Sequence, residues 1–251
     1  MTDSVAPLSL DRIVVQRRLD AVTAKLSPGA VIAICGPNGA GKSTLLTCLA
    51  GLIAPDGGAV RLGGTLVASM APHARARAFG YLPQTAELAW DLSVETLVSL
   101  GRLPWRDAPA SAAQAAIEAA ITAMDLQTLR HRPTSQLSGG ERARALMARV
   151  LATQPGWLLA DEPLANLDLA HAATLMRRFR EQASEGRGVV LVLHDLATAM
   201  NHADRVLVLG RRRLVADGPP EQALSKAVIG DVWGVQARWL GEPGARALSI
   251  G

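Results

Sequence analysis

Apolar residues along this chain follow two rhythms. Some form short unbroken runs: VIAIC (Val31 to Cys35), WLLA (from Trp157), VVLVLH (ending at His194) and RVLVL (from Arg205). Runs without polar alternation suit strands buried on both faces, as in a parallel sheet. FGYLP, just before Gln84, is a further candidate strand. Elsewhere the apolar positions recur at helical spacing. SAAQAAIEAAITAM sets Ile117, Ile121 and Met124 on one face, and Ser111 and Gln114 stand at capping-box spacing at its start. The first third reads as strand-rich and the middle, about Thr85 to Pro155, as helical. From Trp157 strands and helices alternate. The pattern predicts an α/β core with a mainly parallel sheet and an inserted helical part. It divides one domain into a core, residues 1–84 and 156–251, and a helical subdomain, 85–155. No repeat or low-complexity linker appears.

Composition narrows the class. A chain of 251 residues, 49% hydrophobic, has enough apolar surface for a substantial core. Its two cysteines, Cys35 and Cys48, predict a reduced protein without a disulfide framework. Net charge is +4, and only three of the 26 basic residues are lysines. The arginine clusters, Arg211 to Arg213 and Arg177 to Arg180, lie among acids and read as solvated surface. Nucleic acid is not an expected partner. The first residues lack the pattern of a secretory signal. No run approaches the ~20 apolar residues of a membrane span, so the chain is not expected to cross a bilayer.

Chemistry concentrates at GPNGAGKST, Gly36 to Thr44. Glycines at 36, 39 and 41 let the backbone turn and approach oxygen atoms closely. Consecutive N–H groups of Asn38, Ala40 and their neighbours, in the loop that Pro37 opens, would face phosphates, helped by the positive end of the next helix. Lys42 would place a compact charge on the β and γ phosphates. The Ser43 hydroxyl would ligate Mg²⁺, with Thr44 beside it. WLLADEP supplies two carboxylates at a strand end. Asp161 fits a place near Mg²⁺, and Glu162 that of a general base polarising water against the γ-phosphate. His194 and Gln84 each end a predicted strand. His194 would reach the γ-phosphate or orient Glu162, and Gln84 would sit near Mg²⁺. A second helix start, QLSGGERARALMARVLA, has Ser138 and Glu141 at capping-box spacing with Gly139 and Gly140 between them. Taken alone it is a cap.

In their order along the chain, the phosphate loop, Gln84, LSGG, the Asp-Glu pair and His194 resemble the nucleotide-binding subunit of an ATP-binding-cassette (ABC) transporter. The likeness runs from Leu19 to about Trp239. It implies a P-loop NTPase core with an N-terminal antiparallel β part, binding ATP and Mg²⁺. It implies a head-to-tail homodimer sandwiching two ATPs, in which Ser138, Gly139 and Gly140 serve the opposing subunit's γ-phosphate. In ANLD, Asp168 would be the acid of the loop crossing that interface, with Ala165 where Ser is more usual. Gln84 would report the γ-phosphate to the segment after it. Two departures stand out. The family's adenine-stacking aromatic is missing, leaving Ile13, Arg12 or Arg17 as substitutes. Ala143 replaces a frequent Gln.

WDLSVETLVSLGRLPW, Trp90 to Trp105, resembles the permease-facing segment of importers of iron-siderophore complexes, haem and vitamin B12, with Trp105 for the usual His. ANLDLAH and VWGVQARWL resemble the same group. The implied partners are transmembrane permease subunits and, indirectly, a substrate-binding protein. The implied place is peripheral, at the cytoplasmic face of the inner membrane. Leu88, Trp90, Leu92, Val94 and Leu97 divide between helical packing and a groove for a permease helix, with Trp90 expected at the surface. An exporter subunit shares every catalytic motif. A soluble ABC ATPase of DNA repair would carry a long coiled coil, which is absent here.

Overall fold

The computed structural model describes residues 5–85, 90–165 and 167–251. Leu88, and Asn166 within ANLD, lie outside the described residues. In chain order the strands and helices are β1 (Leu8–Val15), β2 (Leu19–Leu26), β3 (Val31–Cys35), α1 (Lys42–Leu49), β4 (Gly57–Leu62), β5 (Thr65–Leu66), α2 (Pro72–Ala78) and β6 (Phe79–Leu82). Then come α3 (Val94–Ser99), α4 (Ala110–Ala123), α5 (Gly139–Ala152), β7 (Trp157–Asp161), α6 (Leu169–Ser184), β8 (Gly188–Val192) and α7 (Leu196–His202). The chain ends with β9 (Arg205–Gly210), β10 (Arg213–Gly218), α8 (Pro220–Ala223), α9 (Lys226–Trp233), β11 (Ala237–Leu240) and β12 (Ala247–Ile250).

The central sheet runs β10-β9-β3-β8-β7-β6. All its pairings are parallel except β9 with β10. The unbroken apolar runs follow from this placement, because every residue of β3, β7 and β8 is buried. Alternate side chains point to opposite faces. Val31, Ala33 and Cys35 face a core shared with Leu158, Leu191, Val206 and the helices α5 to α7. Ile32 and Ile34 face a second core with Leu45, Leu46 and Leu49 of α1 and with β1 and β2. The antiparallel N-terminal sheet, β2-β1-β4-β5, covers that second face.

The α-helices α3 to α5 are inserted between β6 and β7. Ile117, Ile121 and Met124 are buried as their spacing predicts. The start of α4 differs from expectation. The helix begins at Ala110 with Pro109 as its cap, and no side chain caps it. Ser111 already lies inside the helix, and Gln114 instead donates to Glu118 at 2.9 Å. Proline, with φ already set and no N–H to satisfy, starts the helix without a capping hydroxyl. Two strands also end earlier than read. β6 stops at Leu82 and β8 at Val192, so Gln84 and His194 each lie just past a strand end. No helix among the described residues is long and apolar enough to cross a membrane.

Candidate functional site

The phosphate loop joins the buried end of β3 to the start of α1. Gly36 has φ 152°, and a Cβ there would lie 2.3 Å from the Leu209 carbonyl oxygen of β9. Only glycine lets the loop leave the sheet so close to its neighbour. Gly41 has φ 99° and precedes α1, whose first residue is Lys42. Ala40 is buried, and its N–H donates to the Pro37 carbonyl at 3.2 Å, closing the loop. Lys42 folds back to donate to the carbonyls of Gly36 at 2.9 Å and Pro37 at 3.2 Å. Burial lowers its pKa, while Glu162, Cys35 and Asp161 pull it up. An open cleft of about 590 Å³ lies over the loop, lined by Asn38, Gly39, Gly41, Lys42, Ser43, Thr44, Gln84, Glu162, His194 and Arg18.

β7 pairs with β8 so that Asp161 stands opposite Val192. Glu162 follows with φ 51°, left-handed for a residue that is not glycine. Its N–H donates to the Val192 carbonyl at 3.2 Å, which aims the side chain across the strand ends. The Gln84 amide donates to Glu162 Oε2 at 2.7 Å. The His194 ring nitrogen Nε2 is hydrogen-bonded to Glu162 Oε1. The chain thus brings Gln84, Glu162 and His194 to one carboxylate at the cleft.

Asp161 is buried behind this trio. Burial raises its pKa, the Ser43 hydrogen bond and Lys42 lower it, and Glu162 adds to the rise. Its Oδ1 is buried without a hydrogen-bond partner. A desolvated, unsatisfied carboxylate oxygen next to a hydroxyl at a phosphate loop is suited to a cation. Mg²⁺ is usually held by one or two carboxylates together with substrate phosphates, and these residues fit it. Gln84 is the third oxygen donor expected from sequence, and here its amide nitrogen is turned to Glu162.

Ser138, Gly139, Gly140 and Asp168 do not line this cleft. Ser138 caps α5. Its hydroxyl accepts from the Glu141 N–H at 3.3 Å, and its own N–H donates to Glu141 Oε2 at 2.8 Å. Asp168 caps α6, accepting from the His171 N–H at 2.8 Å and meeting the His171 ring at 2.7 Å. The His171 backbone N–H first, and its ring second, hold the Asp168 carboxyl below its ordinary pKa. The same imidazole underlies Gly140, where a Cβ would come within 3.0 Å of it. His171 therefore ties the start of α5 to the start of α6, a role not read from the sequence, although Asp-x-x-His at a helix start was a usable signal.

None of the three residues considered for adenine faces the cleft. Ile13 is wholly buried. Arg12 is exposed beside Asp11, and Arg17 lines a separate hollow with Arg211 to Arg213. Arg18 reaches the cleft instead, because its carbonyl and Leu19 press against Gly41. Trp90 is at the surface, 74% exposed, while Val94 and Leu97 are core. Cys35 and Cys48 are free and buried.

The family model described as ABC transporter matches residues 19–165. The hemin import ATP-binding protein HmuV of Streptomyces coelicolor is 41% identical over 233 residues, 92% of this chain and 83% of that protein. HmuV of Nocardia farcinica is 42% identical over 219 residues, 87% of this chain and 76% of that one. Among solved structures, cbiO1 from Clostridium perfringens, part of the ABC transporter complex cbiONQ, superposes with TM-score 0.80 at 24% identity, covering 90% of this chain and 93% of that chain. An ATP-bound bacterial Atm1-family ABC exporter superposes with TM-score 0.78 at 24% identity, covering 93% of this chain and 43% of that chain. At such identity these two speak for the fold alone, and an exporter's cassette shares it. With its phosphate loop, its paired carboxylates and these matches, the chain belongs to the ABC transporter family as an ATP-binding, ATP-hydrolysing subunit.

Proposed function

We propose that the chain powers an importer of haem or a related metal chelate, such as an iron-siderophore complex or cobalamin. The observation that carries this reading is the identity of 41–42%, over about nine-tenths of the chain, to proteins named for hemin import. The partners are transmembrane permease subunits and, through them, a substrate-binding protein. The subunit sits peripherally at the cytoplasmic face of the inner membrane. Residues 1–84 and 156–251 act as the nucleotide-binding core, and 85–155 as the helical subdomain facing the permease.

The site residues divide the work. The loop amides from Gly36 to Thr44 and the Lys42 ammonium hold the phosphates. Ser43, Asp161 and Gln84 would hold Mg²⁺, which when bound would supply positive charge to the phosphate oxygens. Glu162 takes a proton from water as the water oxygen bonds to the γ-phosphorus and the bond to the β–γ bridging oxygen breaks, releasing ADP and phosphate. Gln84 and His194 fix the two oxygens of that carboxylate. Ser138, Gly139 and Gly140 of a second copy close the site from the other side, with Asp168 on the loop between the copies.

The test is reconstitution in vesicles with the permease subunits, adding binding protein loaded with haem, an iron-siderophore complex or cobalamin. ATP hydrolysis stimulated by one chelate, with its uptake, supports the reading. Uptake of none of them, with ATP-driven efflux of another solute, would make the subunit an exporter's.

A further inference from the structure

Two turns meet on the outer side of the phosphate loop and crowd positive charge. β9 and β10 are joined by Arg211 and Arg212 alone, with Arg213 paired to Gly210 across the hairpin. Arg211 has φ 48° and Arg212 φ 70°, in a turn where Asn-Gly is the usual pair. The β1–β2 turn carries Arg17 at φ 62°. The Asp20 N–H donates to the Arg212 carbonyl at 2.8 Å and ties one turn to the other. Between them lies an open hollow of about 530 Å³, lined by Arg17, Arg211, Arg212 and Arg213 with Leu19 and Asp20. All four arginines are exposed. Asp20 accepts from Arg213 at 2.7 Å. The acids that flank this run in the sequence are committed elsewhere, Asp204 to Arg180 and Asp217 to Arg205. Asp56 is turned to the Gln16 N–H at 2.6 Å. Among the described residues, the side chains of Arg17, Arg211 and Arg212 have no hydrogen bond or ion pair. A run that lies among acids in the sequence thus becomes, in the fold, three unanswered cations around a hollow.

We propose that this hollow is a second anion site, binding a compact ligand with clustered phosphates through Arg17, Arg211 and Arg212. Like charges held close repel one another, and an anion set among them removes that cost. Guanidinium suits the task, because its planar donors match phosphate oxygens in pairs. A hollow between two turns fits a cluster of phosphates better than an extended polyanion. Arg213, already answered by Asp20, holds the rim. The site is distinct from the phosphate loop, and Leu19 is the wall between them. Leu19 lines the hollow, and on its other side a Cβ at Gly41 would come within 2.6 Å of it. Two sources present such phosphates, the paired phosphates of a cardiolipin headgroup and a free polyphosphate. The chemistry of recognition is the same for both.

The experiment has two arms on the full chain. Inorganic tripolyphosphate is titrated by calorimetry into Lys42→Ala, whose phosphate loop is weakened as a competing site. The wild type is floated with phosphatidylcholine vesicles, with and without cardiolipin. In both proteins, Arg211→Asn with Arg212→Gly removes two charges and gives the hairpin the pair its turn favours, so the fold is kept. Arg61→Gln with Arg177→Gln removes two exposed charges elsewhere and serves as the charge-matched control. The expected result is saturable binding of at least one probe, weakened at least about tenfold by the turn variant and by Arg17→Gln, and less than about twofold by the control. Binding of tripolyphosphate alone makes the ligand a free polyphosphate. Binding of cardiolipin vesicles makes it the headgroup. Binding of neither probe overturns the site. So does binding that the turn variant leaves intact, which would put the probe in the phosphate loop, and so do equal losses in the two charge-matched variants, which would reduce it to net charge.

Discussion

Glu162 occupies a backbone conformation that costs a non-glycine residue roughly 1–3 kcal/mol, at φ 51°. The strained turn sends the carboxylate to Gln84 and His194, which clamp it from two sides. Glu162→Gln keeps this shape, since its oxygen can accept from Gln84 and its amide can face the other His194 tautomer. ATP should still bind, and turnover should fall at least ~10²-fold, the scale of general-base catalysis; near-normal turnover in a phosphate-release assay would assign the proton to another group. Cys35 makes a different prediction. Burial pushes its thiol up to about 12 from 9.0, with Lys42 opposing and Asp195 adding. The folded state holds this proton more tightly than the unfolded one. Its contribution to stability is therefore intact below pH 9 and lost as pH climbs toward 12, at no more than about 1.4 kcal/mol per unit. Denaturant midpoints between pH 8 and 11 should fall more steeply for the wild type than for Cys35→Ala, and equal slopes would discard this account. At this scale the sequence was readable where a motif fixes both residue type and spacing, as at Lys42, Asp161 and Glu162. It was unreadable at the β1–β2 turn. Register shifts in β1 turn Ile13 inward, and Arg17 at φ 62° leaves Arg18 facing the cleft.

Elements were legible to the extent that burial dictates composition. β3, β7 and β8 are covered on both faces, so their sequences are unbroken runs of apolar residues. Their ends were less clear, because apolar residues such as Leu193 continue past the end of β8, still bonded to the Ile34 carbonyl at 3.1 Å and packed in the core. The start of α4 was misread for a related reason: a serine and a glutamine at the right spacing match a cap wherever they fall, and Pro109 makes the cap unnecessary. The start of α5 is the informative case. Ser138 and Glu141 form the full reciprocal cap, so the motif has a sufficient structural role inside one chain. Its two glycines go beyond that role, and Gly140 is pressed onto His171. Ser138→Arg should remove a cap worth about 1 kcal/mol and leave the fold in place. Nucleotide affinity of the isolated chain should be unchanged, whereas Lys42→Ala should weaken it strongly. Equal loss of ATP binding in both variants, measured by calorimetry, would mean that the α5 start serves the chain's own nucleotide.

At the scale of the whole molecule, the fold separates two groups that phosphate chemistry would unite. Lys42, Glu162 and His194 share one cleft, and Ser138 to Gly140 lie away from it. Spacing along a sequence cannot say whether two such groups meet; the resemblance to a known family supplied the expectation that a second copy brings them together. In the proposed pair, related by a two-fold axis, each chain would lend its α5 start to the other's phosphate loop, and two equivalent sites would form. This arrangement has a consequence that no single-chain site shares. In a Lys42→Ala homodimer both phosphate loops are impaired, and in a Ser138→Arg homodimer both covering helix starts are blocked. A mixed dimer holds one doubly damaged site and one with every group intact, made from the Ser138→Arg loop and the Lys42→Ala helix start. Mixing the two inactive proteins in equal amounts should restore hydrolysis to roughly a quarter of the wild-type rate, if half the dimers are mixed and each has one independent working site. Strict interdependence of the two sites would lower that value, and the appearance of mixed dimers can be followed separately by tagging one variant. If mixed dimers form and no activity returns even in single-turnover cleavage, the two phosphate-binding groups do not complete each other across an interface.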